Sequence, residues 1–405
     1  MEVIHERCAG IDVHKKVVVV SALVQRKRFD RSFGTTTAEL RQLRDWLVSL
    51  GVTHAAMEST GSYWKPVYNL LEETEVEPMV VNAAHVKAVP GRKTDVNDAQ
   101  WLAQLLRHGL LRASFIPDRE HRELCELVRY RRSLVQEQSR EVLRIQKILE
   151  GANIKLSSVA SNVMGVSGRA MLEAMAGGEE NNEQLADLAR GRMRAKRKEL
   201  LAALDGVMSD HQRFLLKEQL GHVDELEHRI DRLSEEIARR MRPFEAQIAA
   251  IDEIPGLGRR GAEEILAETG VDMARFPTSR HISSWAKVSP GNNESAGKRK
   301  SGRTGKGNPW LRSTLVEAAV CAARTKRSYL SAQYHRLAAR RGKKRAAMAV
   351  AHSILVVVYH ILSTGAAYRD LGNDYFDRRS KEALASRMKR RLEALGYTVT
   401  LEEAA

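Results

Sequence analysis

Three short runs in immediate succession, CAGIDV (8–13), VVVVSALV (17–24) and RKRFDRSF (26–33), valine-rich where most apolar, constrain the fold of this chain most. Each has strand length, and turn signals separate them, so three consecutive antiparallel strands are expected. Alternation with helical periodicity follows. Thr36 or Thr37 can cap a helix running through Leu50, HAAMES (54–59) reads as a fourth strand, Ser62 can cap a helix through Glu73, and MVVN (79–82) gives a fifth strand. Beyond Pro90 and Gly91, Thr94 can cap the amphipathic segment DVNDAQWLAQLLRHG, which Gly109 closes. The order βββαβαβα is that of an RNase H-like (RuvC-like) α/β domain.

With 405 residues the chain exceeds what one core organises, so further domains are expected. From Pro117 to about Gly151 the pattern is helical throughout. A Gly/Ser/Asn-rich patch at 151–182 interrupts it, and helical character resumes from Glu183 to about Arg242. In this second stretch Leu226, Ile230, Leu233 and Ile237 recur at spacings of four, three and four. Two long helices folding back as a coiled-coil arm is the economical reading. Pro243 ends the arm, and a compact α-helical domain opens at 251. It continues through a basic, glycine-rich loop at 291–309 to helices near 309–325 and 343–362, followed by a charged tail that can pack as a terminal helix. The division is 1–117, 118–250, 251–365 and 366–405.

The net charge of +15 is gathered rather than spread, since Lys287–Arg345 alone carries +14. Such asymmetry suits a surface that contacts a phosphate backbone and releases condensed counterions. Cys8, Cys125 and Cys321 are far apart, with no pair at zinc-ligand spacing. The N-terminus MEVIHERCAGIDVHKK has charges where a signal peptide needs an apolar core, and the most apolar run, Ala346–Leu362, is shorter than the roughly 20 residues that span a bilayer. A cytoplasmic protein with no membrane partner is expected.

The acidic residues carry the chemistry. Asp12 ends the first strand, Glu58 the fourth, and Asp95 and Asp98 share one face of the last helix at i and i+3. Each alone has a structural explanation, a strand end or a helix N-terminus. Together they predict a carboxylate cluster whose mutual repulsion divalent cations relieve, and hard oxygen donors suit Mg²⁺. Two such ions could activate an attacking oxygen and stabilise a leaving one in phosphodiester cleavage. His14 and Lys15, beside Asp12, could touch substrate or simply face solvent. In the C-terminal half, IPGLGRRGAEEIL (254–266) resembles a helix-hairpin-helix, in which Gly256 and Gly258 leave backbone N–H groups exposed for a phosphate and Arg259 and Arg260 add charge. A plain interhelical turn would use glycine as well. Trp285 and Trp310 could stack on bases or pack in the core. One basic loop holds Ser289, Ser295 and Ser301, among which the residues alone do not choose.

These segments resemble a known family. GIDVHK (10–15), ESTGSYWKP (58–66) and RKTDVNDAQWLAQLL (92–106) are similar in order and spacing to the N-terminal signature of the DEDD transposases of bacterial insertion sequences, relatives of the Piv-type DNA invertases and of bridge-RNA-guided recombinases. IPGLG (254–258) and SAGKRKSGRTGKGNPWLRSTLVEAA (295–319) resemble the C-terminal signature. The likeness covers roughly 8–110 and 250–325. It implies that Asp12, Glu58, Asp95 and Asp98 are the Mg²⁺ ligands and that Ser295 is the nucleophile joined covalently to DNA. Lys298, Arg299, Lys300 and Arg303 would then offset charge developing at the attacked phosphoryl group, with Lys306 adding to the nucleic-acid contact. It further implies DNA as substrate, an element-encoded guide RNA as partner, and a homodimer or homotetramer. Two other readings stand beside the recombinase: a structure-selective nuclease in which water attacks and Ser295 is incidental, and a non-enzymatic nucleic-acid scaffold.

Overall fold

The computed structural model describes residues 2–59, 61–82, 86, 98–291, 293–295, 298–305, 307–379 and 381–400, with the backbone alone at 293–295, 298–301, 383 and 384. The chain divides into two compact units, Met1–Arg122 and Glu123–Ala405.

The first unit is built on β1 (Arg7–Val13), β2 (Val17–Val24), β3 (Lys27–Gly34), α1 (Thr37–Ser49), β4 (His54–Glu58), α2 (Trp64–Leu71), β5 (Glu77–Val81) and α3 (Asp98–Arg107). The sheet order is β3-β2-β1-β4-β5, with β1–β2 and β2–β3 antiparallel and β1–β4 and β4–β5 parallel. A mixed five-stranded sheet of this kind is compatible with the expected RNase H-like domain. Side chains alternate between its two faces. One face carries Ile11, Val13, Val20, Met57 and Val80, packed with Leu43 and Leu47 of α1 and Val67 and Leu71 of α2. The other carries Cys8, Ala56 and Val81 against Leu102, Leu105 and Leu106 of α3. Each such buried aliphatic side chain contributes about 1.5–3 kcal/mol. Thr36 caps α1 as expected, its hydroxyl accepting from the Glu39 N–H. Ser62 does not cap α2, which begins at Trp64 without a side-chain cap; the Ser62 carbonyl accepts from the Lys65 N–H instead. The proposed cap Thr94 lies outside the described residues. Gly109, at φ +64°, follows α3 where the sequence placed its stop.

In the second unit α4 (Arg119–Gly151) rises for about 50 Å. Four short helices follow: α5 (Leu156–Val159), α6 (Val166–Ala176), α7 (Asn182–Asp187) and α8 (Arg197–Ala203). They close a small core of their own with Ile145, Leu149, Met171, Leu172, Leu200 and Leu216. The return helix α9 (Asp210–Met241) starts at a Ser209–Gln212 capping box, not at Glu183. The arm is thus a helix pair, joined midway by Leu134, Leu226 and Ile230, that carries a folded tip. At its base Leu124, Cys125, Val128, Ile237 and Met241 enter the core of the C-terminal helices, so arm and helical domain share one interior.

That interior is completed by α10 (Glu245–Asp252), α11 (Arg259–Thr269), α12 (Ser279–Trp285), α13 (Pro309–Ala322), α14 (Tyr329–Arg341) and α15 (Lys343–Thr364). Between α12 and α13 lies a two-stranded antiparallel hairpin, β6 (Asn293–Ser295) and β7 (Lys298–Ser301), where the sequence suggested a loop. Helix α15 is long and apolar enough to cross a bilayer by length and composition. Its Val350, Ala351, Ile354, Leu355 and Val358 are instead fully buried in the shared core. The tail adds α16 (Tyr375–Arg378) and α17 (Lys381–Glu393); Phe376 stacks on Tyr329 at 5.2 Å.

Candidate active site

Strand register brings two of the acids together. In the parallel β1–β4 pair Ile11 faces Met57, so Asp12 and Glu58 occupy the next position on strands about 4.8 Å apart. Ile11, Val13 and Met57 point into the α1/α2 core, which turns Asp12 and Glu58 to the opposite face, the one α3 covers. Gly10 makes that cover possible. A Cβ there would stand 2.0 Å from the Ala99 carbonyl oxygen and 2.4 Å from the Ala103 nitrogen, so only glycine lets the α3 backbone lie on β1. Asp98, exposed, is the first described residue of α3 and precedes Ala99 directly. Asp12 and Glu58 therefore share one sheet face and Asp98 lies on the helix that covers it, while Asp95 lies outside the described residues.

The Asp12 carboxylate is 22% exposed and 2.9 Å from His14 Nε2, which stands beyond the strand end. Among the described residues no three His, Cys, Asp or Glu side chains are grouped closely enough to hold a metal ion. The chemistry of the donors suits a hard divalent cation, since Asp12 and Glu58 are both carboxylates on neighbouring strands. Lys15 is exposed in the β1–β2 turn, its carbonyl accepting from the Thr35 hydroxyl.

The basic elements belong to the second unit. Ser295 ends β6, paired with Lys298 at the start of β7, and Glu294 pairs with Arg299. Lys300 also lies on β7, Arg303 is exposed just after it, and Lys306 is outside the described residues. Asn308 ends this segment and caps α13, its Oδ1 accepting from the Trp310 and Leu311 N–H groups at 3.0 and 3.2 Å. Its amide nitrogen donates to Glu268 of α11, which also accepts two 2.7 Å bonds from Arg129 of α4.

The turn between α10 and α11 works differently from the sequence expectation. Gly256 has φ +90°, and a Cβ on it would meet the Ala318 carbonyl oxygen at 2.3 Å and the Ala322 nitrogen at 2.4 Å. Its lack of a side chain thus admits the backbone of α13, a packing role. Gly258 is open, with nothing closer than 4.0 Å to a Cβ placed there. The Arg259 guanidinium is engaged by Glu245 at 2.6 and 2.8 Å and Glu263 at 3.0 Å, and those carboxylates hold its pKa above the usual value. Arg260 is exposed. Trp285 is packed on Phe276 at 5.4 Å, and Trp310 lies 6.0 Å from the Arg129 guanidinium carbon.

Sequence reasoning missed a buried ion-pair lattice behind these elements. Arg131 and Glu263, 2% and 3% exposed, meet at 2.7 Å, and Arg132 binds Glu264, Ser313, Thr314 and Glu317. Together with Arg129–Glu268 these contacts tie the arm helix α4 to α11 and to α13, the helix that follows the Ser295 hairpin in sequence. A signal was present: Arg131 falls in the stripe of Leu124, Val128 and Val135, where an apolar residue is expected.

Two family models match the sequence. One, described as a transposase of the DEDD type of IS110, matches residues 9–154, and the other, the transposase IS116/IS110/IS902 family, matches residues 248–335. No curated protein matches the chain. With the acid-bearing sheet inside the first match and the serine hairpin inside the second, the chain belongs to the IS110-type DEDD transposases of insertion sequences.

Proposed function

We propose that this transposase cuts and rejoins DNA strands with two sets of groups: the acids on the α3 face of the sheet, and Ser295 on the basic hairpin. The observation that carries the reading is the adjacent register of Asp12 and Glu58 on the face where Gly10 admits α3, the helix that bears Asp98. Asp12, Glu58 and Asp98, with Asp95, would hold Mg²⁺. Bound there, the ion supplies Lewis-acid polarisation of phosphate oxygens and lowers the pKa of a coordinated hydroxyl or water. The Ser295 hydroxyl attacks the phosphorus: its Oγ–P bond forms, the bond from phosphorus to the leaving strand's oxygen breaks, and that oxygen takes up a proton. A phosphodiester replaces a phosphodiester, so the step conserves bond type and reverses when a new strand attacks. Lys298, Arg299, Lys300 and Arg303 offset the charge on the phosphoryl oxygens. Gly258 and Arg260 remain the helix-hairpin-helix residues best suited to a phosphate, since Arg259 is held by carboxylates.

No described element is an obvious reader of base sequence, which suits delegation of target choice to a guide RNA. Several cut ends must be held at once, and a homodimer or homotetramer in the cytoplasm meets that need. The test is denaturing capture of protein–DNA adducts with wild type, Ser295→Ala and Asp12→Asn. Wild type should yield an adduct and Ser295→Ala none. Strand cutting that persists in Ser295→Ala makes the chain a water-using, structure-selective nuclease, and DNA binding without any cutting makes it a scaffold.

A further inference from the structure

Between Glu317 and Asp370 the sequence holds no carboxylate, yet Arg324–Arg345 contains nine Lys and Arg residues, all exposed. The densest part is a corner. Helix α14 ends in Arg340 and Arg341, Gly342 turns the backbone at φ +82°, and α15 begins with Lys343, Lys344 and Arg345. None of these five side chains forms an ion pair with a carboxylate among the described residues, although exposed helix arginines elsewhere in the unit do, as in Arg239–Glu236 and Arg378–Asp374. Stability does not explain them. Three cations in the first turn of a 22-residue helix oppose its macrodipole, no acidic residue occupies that turn, and no side chain caps it. Like charges this close repel one another, a cost that an external polyanion removes.

We propose that the Arg340–Arg345 corner is a sequence-independent contact for the phosphate backbone of duplex DNA, separate from the Ser295 hairpin. It lies beyond both family matches, which end at 335, so the family likeness does not assign it. Duplex backbone fits better than single strands or RNA loops, because no aromatic residue stands between Arg336 and Arg345 to stack an unpaired base. The inference rests on the DNA-processing reading above.

The experiment measures binding of the full-length protein to a duplex of arbitrary sequence across a salt series, with Lys343→Gln/Lys344→Gln/Arg345→Gln beside wild type. If each cation neutralises one phosphate, the slope of log K against log salt falls in magnitude by about 2.7, and affinity at 0.15 M salt falls on the order of 100-fold. The melting temperature should hold or rise slightly; should the triple variant fail to fold, Lys344→Gln alone should lower the slope by about 0.9. Unchanged slope and affinity against a wild type that binds overturns the corner. A wild type that binds no duplex DNA overturns the DNA-processing reading instead. A structured RNA hairpin is titrated in parallel, and loss confined to RNA binding also overturns the proposal, reassigning the corner to RNA.

Discussion

Gly10→Ala tests the geometry of the proposed acid cluster without touching an acid. The added Cβ would stand 2.0 Å from the Ala99 carbonyl oxygen and 2.4 Å from the Ala103 nitrogen, both backbone atoms of α3 that no rotamer change can remove. Ordinary contact begins at 3.4 Å, so α3 must retreat by at least about 1.4 Å, carrying Asp98 away from Asp12 and Glu58. Overpacking of this kind costs about 1–3 kcal/mol, which for a unit of this size lowers Tm by roughly 5–15 °C. A displacement of about 1 Å at a reacting centre costs on the order of 100-fold in rate. Differential scanning calorimetry and a strand-cleavage assay with Mg²⁺ read the two effects. Gly221→Ala is the control: Gly221 lies inside α9 with nothing within 4 Å of a Cβ, so alanine there should stabilise by roughly 0.5–1 kcal/mol and leave cleavage unchanged. If Gly10→Ala melts with wild type and cleaves at the wild-type rate, α3 does not rest on β1 as described.

Two further perturbations follow from burial. Glu263→Ala strands Arg131 in the interior, where one of its amino nitrogens already has no hydrogen-bond partner among the described residues, and should cost about 3–5 kcal/mol in denaturant unfolding of the second unit. The double change Arg131→Met/Glu263→Met should recover most of that loss; a double variant as unstable as the single would show that the two charges are not coupled. Cys8 is fully buried, and burial pushes its thiol up to about 11 from an ordinary 9.0. The folded state therefore holds this proton more tightly than the unfolded one: the stabilisation is complete below about pH 9 and is lost as pH rises through about 11. Iodoacetamide at pH 8 should accordingly label exposed Cys321 in the native protein and Cys8 only after unfolding, and rapid native labelling of Cys8 would contradict the burial.

The first unit was legible because its signals are local. Period-two runs gave β1 to β5 to within two residues, Thr36 gave the α1 cap, and the apolar periodicity placed Asp98 on a helix that ends before Gly109. Face assignment needed the register of β1 on β4, which joins residues 46 apart and has no local trace. The arm was half legible. Leu226, Ile230 and Ile237 are buried as their spacing required, whereas the tip between α4 and α9 is made of helices too short for periodicity to define, and their core forms only when Ile145 meets Leu216. Helix α14 escaped notice because among its side chains only Leu330 is fully buried, so its pattern is nearly polar all round; the Ser328 cap was its one local mark. The packing of Gly256 and the ion pairs of Arg259 left no mark in the sequence for a related reason. A Pro-Gly-x-Gly turn reads alike whether its glycine faces a phosphate or the backbone of α13, and the partners of Arg259 lie on two helices. The lattice around Arg131 and Arg132 links positions more than a hundred residues apart, so only the misplaced charge in an apolar stripe hinted at it.

The most direct test of the account is Mn²⁺ binding to the full-length protein, followed by electron paramagnetic resonance, in wild type and in Asp12→Asn, Glu58→Gln and Asp98→Asn. If the carboxylates on the α3 face act as one cluster, wild type takes up the ion and each substitution weakens uptake at least tenfold while the protein stays folded. Wild-type uptake retained in all three variants, or no uptake by wild type itself, would contradict the claim that these acids form a shared metal site.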